Sequence, residues 1–211
     1  MKKSLLMLIL ATTGCYAQDT LQSLNFNLHA GVALSDASFQ VGFRNNEPIS
    51  KNSVSPVGGV GVEYRFANSF SANLNANYIV TGAEDTGNLF KSIEFSQIQI
   101  PITIKGYASD RIYAEAGGYL SAIINADTEV YGDGNNPSYV NTESIDYGIL
   151  FGLGYSGDSF FISASYSLGF TDLVSLDESN FNPEFDPIIE GGLTDPYFKN
   201  RYFVFNAGYR F

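Results

Sequence analysis

Arg201-Tyr202-Phe203-Val204-Phe205-Asn206-Ala207-Gly208-Tyr209-Arg210-Phe211, the last eleven residues, alternate between apolar and small-or-polar side chains. Phe203, Phe205, Ala207, Tyr209 and Phe211 share one face, and Asn206, Gly208 and Arg210 share the other with Tyr202 and Val204. Successive side chains of a strand point to opposite faces, so this stretch is greasy on one side and small or polar on the other. A strand of that kind ending on an aromatic carboxy-terminus fits the closing seam of a transmembrane β-barrel.

The amino-terminus points the same way. Residues 1–17 carry Lys2 and Lys3, an apolar run from Leu5 to Ala11, and Cys15-Tyr16-Ala17 before Gln18. The apolar run is too short to span a bilayer, and the ending suits signal peptidase. The expectation is a cleaved signal peptide over 1–17 and one barrel domain over 18–211. A lipoprotein signal using Cys15 is the rival, and it is weakened by Thr12 standing where a Leu-like residue is usual. With cleavage after Ala17 the mature chain has no cysteine, which excludes disulfides, thiol nucleophiles and thiolate metal sites.

Charge narrows the class further. The chain carries a formal −11, which becomes −13 when Lys2 and Lys3 leave with the signal. Nucleic-acid binding needs a basic face and is excluded. No run of 18 apolar residues follows the signal, so a helical anchor is not expected.

Eight segments alternate with period two: 25–34, 57–66, 70–80, 96–106, 112–124, 145–155, 160–170 and 201–211. The clearest is 70–80, where Phe70, Ala72, Leu74, Ala76, Tyr78 and Val80 oppose Ser71, Asn73, Asn75 and Asn77. A strand of about ten tilted residues crosses the hydrocarbon. The connections decide the class, because they alternate in length. Residues 67–69, 108–110 and 156–159 make tight turns, whereas 35–56, 81–95, 125–144 and 171–198 are long and polar. Short turns on one side and long loops on the other mark outer-membrane barrels with periplasmic turns. The expected fold is therefore an all-β, eight-stranded antiparallel up-and-down transmembrane barrel, multi-pass in the cell outer membrane; a secreted lipocalin-like barrel is the alternative. Phe66, Phe70, Tyr155, Phe160, Tyr209 and Phe211 gather at the short-turn end, and Tyr78, Tyr147, Phe170 and Phe203 at the other, as interfacial girdles do.

Parity places Glu63, Arg65, Lys105, Glu115, Asp146 and Arg210 inside the barrel. The interior of an eight-stranded barrel is just wide enough for side chains to fill. These six are read as one charge network in a polar plug, and a narrow ion or solute path is the alternative. The single histidine, His29, lies on a lumen face with Asn25 and Asn27 and is read as packed rather than catalytic. No enzyme activity, cofactor or metal is expected, and a lipid-modifying enzyme is the least favoured reading. Gly152-Leu153-Gly154-Tyr155-Ser156-Gly157 matches a dinucleotide fingerprint but joins two strands and opens no helix. Gly58-Gly59-Val60-Gly61 lets lumen side chains approach the backbone. Asp172, Asp177, Glu178, Glu184, Asp186, Glu190 and Asp195 make the last long loop acidic, a solvated face by default.

Gln97-Ile98-Gln99-Ile100-Pro101-Ile102-Thr103-Ile104-Lys105-Gly106-Tyr107, followed by Tyr113-Ala114-Glu115-Ala116-Gly117-Gly118-Tyr119, resembles the PorT-like outer-membrane β-barrel family of Bacteroidota. Asp146-Tyr147-Gly148, Tyr166-Ser167-Leu168-Gly169-Phe170-Thr171 and the terminal Gly208-Tyr209-Arg210-Phe211 continue the match. The chain departs from the pattern at Gly118, where Pro is common, and at Asp172, where Asn is common. The resemblance implies insertion by the barrel-assembly machinery, which reads the terminal strand with Phe203, Phe205, Tyr209 and Phe211. It also implies outer-membrane lipid and secretion-system components as partners, with an accessory role in type IX protein secretion. The function expected is that of a non-enzymatic integral outer-membrane protein with acidic extracellular loops, serving structure or interaction; a small channel is the alternative.

Overall fold

The computed structural model describes residues 23–35, 38–42, 51–84, 90–130, 140–176 and 194–211. The signal peptide expected over 1–17, the Cys15 alternative and the acidic positions from Asp177 to Glu190 lie outside these residues. The described elements are β1 (Ser23–Ser35), β2 (Ser38–Gly42), β3 (Lys51–Ala67), β4 (Phe70–Glu84), β5 (Phe90–Tyr107) and β6 (Ile112–Val130). They continue with β7 (Val140–Thr142), β8 (Ile145–Ser156), β9 (Phe160–Gly169), β10 (Val174–Leu176), β11 (Thr194–Lys199) and β12 (Arg201–Arg210).

Eight of these close into a barrel in the order β1-β12-β9-β8-β6-β5-β4-β3. All eight pairings are antiparallel. The first and last strands meet at the seam, where His29 faces Gly208 and Val32 faces Phe205. Closure abolishes the free edges that an open sheet would present.

Burial is inverted relative to a water-soluble barrel. Phe26, Leu28, Ile102, Leu153, Ile162 and Phe205 are exposed on the outer wall, while Asn27, His29, Asn73, Gln99, Thr103 and Lys105 are buried inside. A lipocalin-like barrel would bury the first set and expose the second. Outward alternation covers every barrel strand, so the wall is built to face hydrocarbon.

Aromatic pairs mark both rims. Phe66 stacks on Phe70 at 6.4 Å, Tyr155 meets Phe160 at 6.1 Å and Tyr209 meets Phe211 at 5.1 Å on the short-turn side. Tyr147 meets Phe170 at 6.0 Å and Tyr166 meets Phe203 at 4.4 Å toward the other side.

The strands run further than the alternating pattern shows. β5 has 18 residues and β6 has 19, against about ten needed to cross. Beyond the bulge between Ser96 and Gln97 these two strands place Glu94 directly across from Asp127, both exposed. Two like charges opposite one another require water, which sets this extension above the membrane. The stretches expected as loops also contain paired strands. β11 pairs with β2, and β10 pairs with β7, so the connection between β9 and β12 is joined to two other connections. In water neither face of such a strand must be apolar, so period two vanishes while backbone pairing persists.

Candidate functional site

The lumen is filled in tiers, and glycines make the room. Gly61 faces Asn75 across β3–β4, and a Cβ at Gly61 would lie 1.8 Å from Asn75 Oδ1. Gly154 faces Tyr113 across β6–β8, and a Cβ there would lie 2.2 Å from Tyr113 Cζ. Large inward side chains thus lie over inward glycines of the next strand, which is how a narrow barrel accommodates tyrosine and asparagine.

The tier nearest the short turns centres on Lys105. Its Nζ sits 2.8 Å from Glu63 Oε2. Glu63 Oε1 accepts from Ser71 Oγ at 2.9 Å and from the Tyr107 hydroxyl at 2.5 Å. Glu115 stands directly across β5–β6 from Lys105, and Thr103 Oγ1 donates to Glu115 Oε2 at 3.2 Å. The ammonium also lies 4.8 Å from the Tyr113 ring centroid and 5.8 Å from that of Phe161. Lys105 and Glu63 are both buried, and buried ions need this density of partners.

The single network expected from parity therefore divides. Glu63, Lys105 and Glu115 come together. Arg65 Nη2 donates instead to the Asn68 carbonyl at 2.6 Å, with its guanidinium 4.4 Å from the Tyr107 ring centroid. Arg210 Nη2 donates to the Gly157 carbonyl at 2.6 Å. Both arginines stand at strand ends, where the open carbonyls of tight turns are nearer than the lumen carboxylates. Asp146 lies at the opposite end of the barrel, bonded by the Tyr119 hydroxyl at 3.0 Å and Asn200 Nδ2 at 2.9 Å.

The middle tier is uncharged apart from the lysine cluster below it. His29 is buried, with Nδ1 3.0 Å from Asn27 Oδ1 and Nε2 2.9 Å from Asn77 Oδ1. Each asparagine amide can donate or accept by turning over, so the neutral ring is satisfied at both nitrogens. A cavity of about 40 Å³ opens here, lined by His29, Asn73, Asn75, Thr103, Glu115 and Asn206 among others. That volume holds on the order of one to three waters.

The tier toward the long connections is closed. Gln99 Nε2 donates to the Tyr202 hydroxyl, and the Tyr119 and Tyr202 rings lie 6.5 Å apart. Ala33, Val57, Ile79, Tyr202 and Val204 form an apolar cluster beside them. Ile93, Phe95, Leu173 and Val174 are buried as well. Tyr107, Tyr113 and Tyr119 are lumen residues that pattern reading passes over, because tyrosine in such a chain is first assigned to the girdles, whereas Tyr202 already falls on the inward face of the last strand. The parity of the first three, shared with Lys105 and Glu115, is the signal that finds them.

Together these features define an outer-membrane β-barrel with a packed polar lumen. The chain belongs to the outer membrane protein beta-barrel domain family, whose model matches residues 16–175. No curated relative matches the chain. Among solved structures, the outer membrane protein OprG from Pseudomonas aeruginosa is 13% identical, with 90% of this chain and 97% of that chain covered at a TM-score of 0.52. Neisserial surface protein A is 14% identical, with 88% of this chain and 97% of that chain covered at a TM-score of 0.51. At such identities the likeness is one of fold, and it agrees with the outer-membrane location.

Proposed function

We propose that this chain, after loss of a signal peptide at 1–17, is a non-conducting, non-enzymatic outer-membrane barrel of the PorT-like kind that presents a braced extracellular tier for interaction. The filled lumen carries this reading. From the Lys105 cluster to the Tyr119–Tyr202 pair the interior is occupied by packed side chains, and the cavity beside His29 is of water size. The brace supports it too: β11 with β2 and β10 with β7 tie three connections together over the mouth. His29, held at both nitrogens by amides, is poorly placed to act as a base. The resemblance of the β5–β6 region to PorT-like proteins makes secretion-system components the partner class, in an accessory role to type IX secretion. Reconstitution into planar bilayers is expected to give no conductance steps above the lipid baseline. Discrete, reproducible steps would establish the channel reading instead.

The same proposal makes the terminal strand an assembly signal. Phe211 contributes one seam bond, its backbone N–H donating to the Phe26 carbonyl at 2.9 Å, and one ring contact with Tyr209. An interfacial aromatic contributes modestly to a finished barrel. Deleting Phe211 should lower the amount inserted in cells far more than it lowers stability after refolding into lipid. A parallel fall in both quantities would make Phe211 a packing residue only.

A further inference from the structure

Asp146 differs from the other buried acids of the lumen. Glu63 holds Lys105 at 2.8 Å, and Glu115 stands across from the same lysine. Asp146 is fully buried, yet it has no cationic partner among the described residues. Its Oδ2 accepts from Tyr119 and Asn200, and the Thr171 hydroxyl and N–H lie beside the carboxylate, while its Oδ1 makes no well-formed hydrogen bond.

Two more orphaned oxygens belong to the same tier. Ser121 is the residue directly across β6–β8 from Asp146, it is buried, and its Oγ has no partner. Opposed residues of an antiparallel pair have Cβ atoms about 5 Å apart, so hydroxyl and carboxylate are neighbours. Gln97 is tied to Asp146 through a chain of donors. Its Nε2 donates to Thr81 Oγ1 at 3.1 Å, Thr81 Oγ1 to Asn200 Oδ1 at 2.9 Å, and Asn200 Nδ2 to Asp146 Oδ2 at 2.9 Å. Gln97 Oε1 takes no part in that chain and is buried and unpartnered.

A buried acceptor without a donor is costly, and a buried carboxylate without a counter-charge more so. What this tier lacks is one positive charge that several oxygens can share. We propose that Asp146, Ser121 and Gln97 bind a single monovalent cation, Na⁺, at the outer end of the lumen. One carboxylate with neutral oxygens balances one positive charge. Ca²⁺ takes six to eight oxygens, typically with several carboxylates, and no group of three or more acidic, histidine or cysteine residues suited to a metal occurs among the described residues. The site would also brace the extracellular tier. Asn200 joins β11 to β12, and its carbonyl accepts from the Gly169 N–H at 2.7 Å where β9 ends. The cation therefore fastens both roots of the longest connection to the barrel.

The test is denaturant unfolding of the refolded mature chain in zwitterionic lipid, at constant ionic strength, with NaCl exchanged for choline chloride. A ligand that binds only the folded state raises stability with its concentration relative to its dissociation constant. The midpoint of the native protein is expected to rise with Na⁺ and to saturate. Asp146→Asn, which keeps the shape of the side chain, should abolish the Na⁺ response. Ser121→Ala, the milder variant should Asp146→Asn fail to fold, should weaken apparent Na⁺ affinity about tenfold. Equal midpoints in NaCl and choline chloride would overturn the proposal. So would a Na⁺ response that survives in both variants, or stabilisation by Ca²⁺ alone. Stabilisation by acid without any Na⁺ response would show that Asp146 is simply a protonated carboxyl group.

Discussion

Replacing Lys105 by alanine is expected to cost the inserted barrel about 3–5 kcal/mol, the range for breaking one side of a buried ion pair. The cost arises less from the lost 2.8 Å contact than from what remains. Glu63 keeps donors from Ser71 and Tyr107 but loses its counter-charge, and Glu115 then faces it with no cation between them. The prediction is checked by urea unfolding in lipid vesicles, with a double-mutant cycle against Glu63→Gln. In the Glu63→Gln background the same lysine substitution should cost less by about 1 kcal/mol or more, because the neutral amide needs no cation. Equal costs in both backgrounds would mean that the pair is solvated and energetically uncoupled.

The division of the charge network shows what alternation can and cannot reveal. Parity placed Glu63, Arg65, Lys105, Glu115, Asp146 and Arg210 on inward faces, because a strand has only two faces and lipid excludes charge from one of them. Height along the barrel is a different quantity. It depends on the register between strands, and Lys105 meets Glu115 only because β5 pairs with β6 at that offset. Asp146 stands near the start of β8, opposite Ser121 high on β6, so it cannot reach the cluster of Glu63, Lys105 and Glu115. The small strands β2, β7, β10 and β11 were illegible for another reason. Hydrocarbon is what forces outward residues to be apolar, and above the membrane that pressure is gone. The lumen tyrosines were hidden by chemistry shared with the girdles, since Tyr119 and Tyr147 differ only in parity. The glycines were legible as close approaches, although which side chain each one admits depends again on register.

Register also decides the second large effect. Gly31→Ala is expected to destabilise the barrel by roughly 1–3 kcal/mol or more, the usual range for overpacking. A Cβ at Gly31 would lie 1.9 Å from the Phe205 carbonyl oxygen and 2.5 Å from Asn206 Oδ1. The asparagine could swing away, but the carbonyl is backbone of β12, bonded into the ladder that closes the barrel. Strands of an open sheet can splay to relieve such a contact. Here β1 is held by β3 on its other side and β12 by β9, so the seam must distort as a whole. Gly58→Ala is the matching control, because the nearest atom to a Cβ there is the His29 carbonyl oxygen at 3.8 Å, an ordinary contact. Its cost should stay within about 0.5 kcal/mol. Unfolding midpoints of the two variants, measured in the same vesicles, should therefore separate widely, with Gly31→Ala far below Gly58→Ala. Coincident midpoints would show that the β1–β12 seam has slack, and that close packing at Gly31 is not what holds the first and last strands in register.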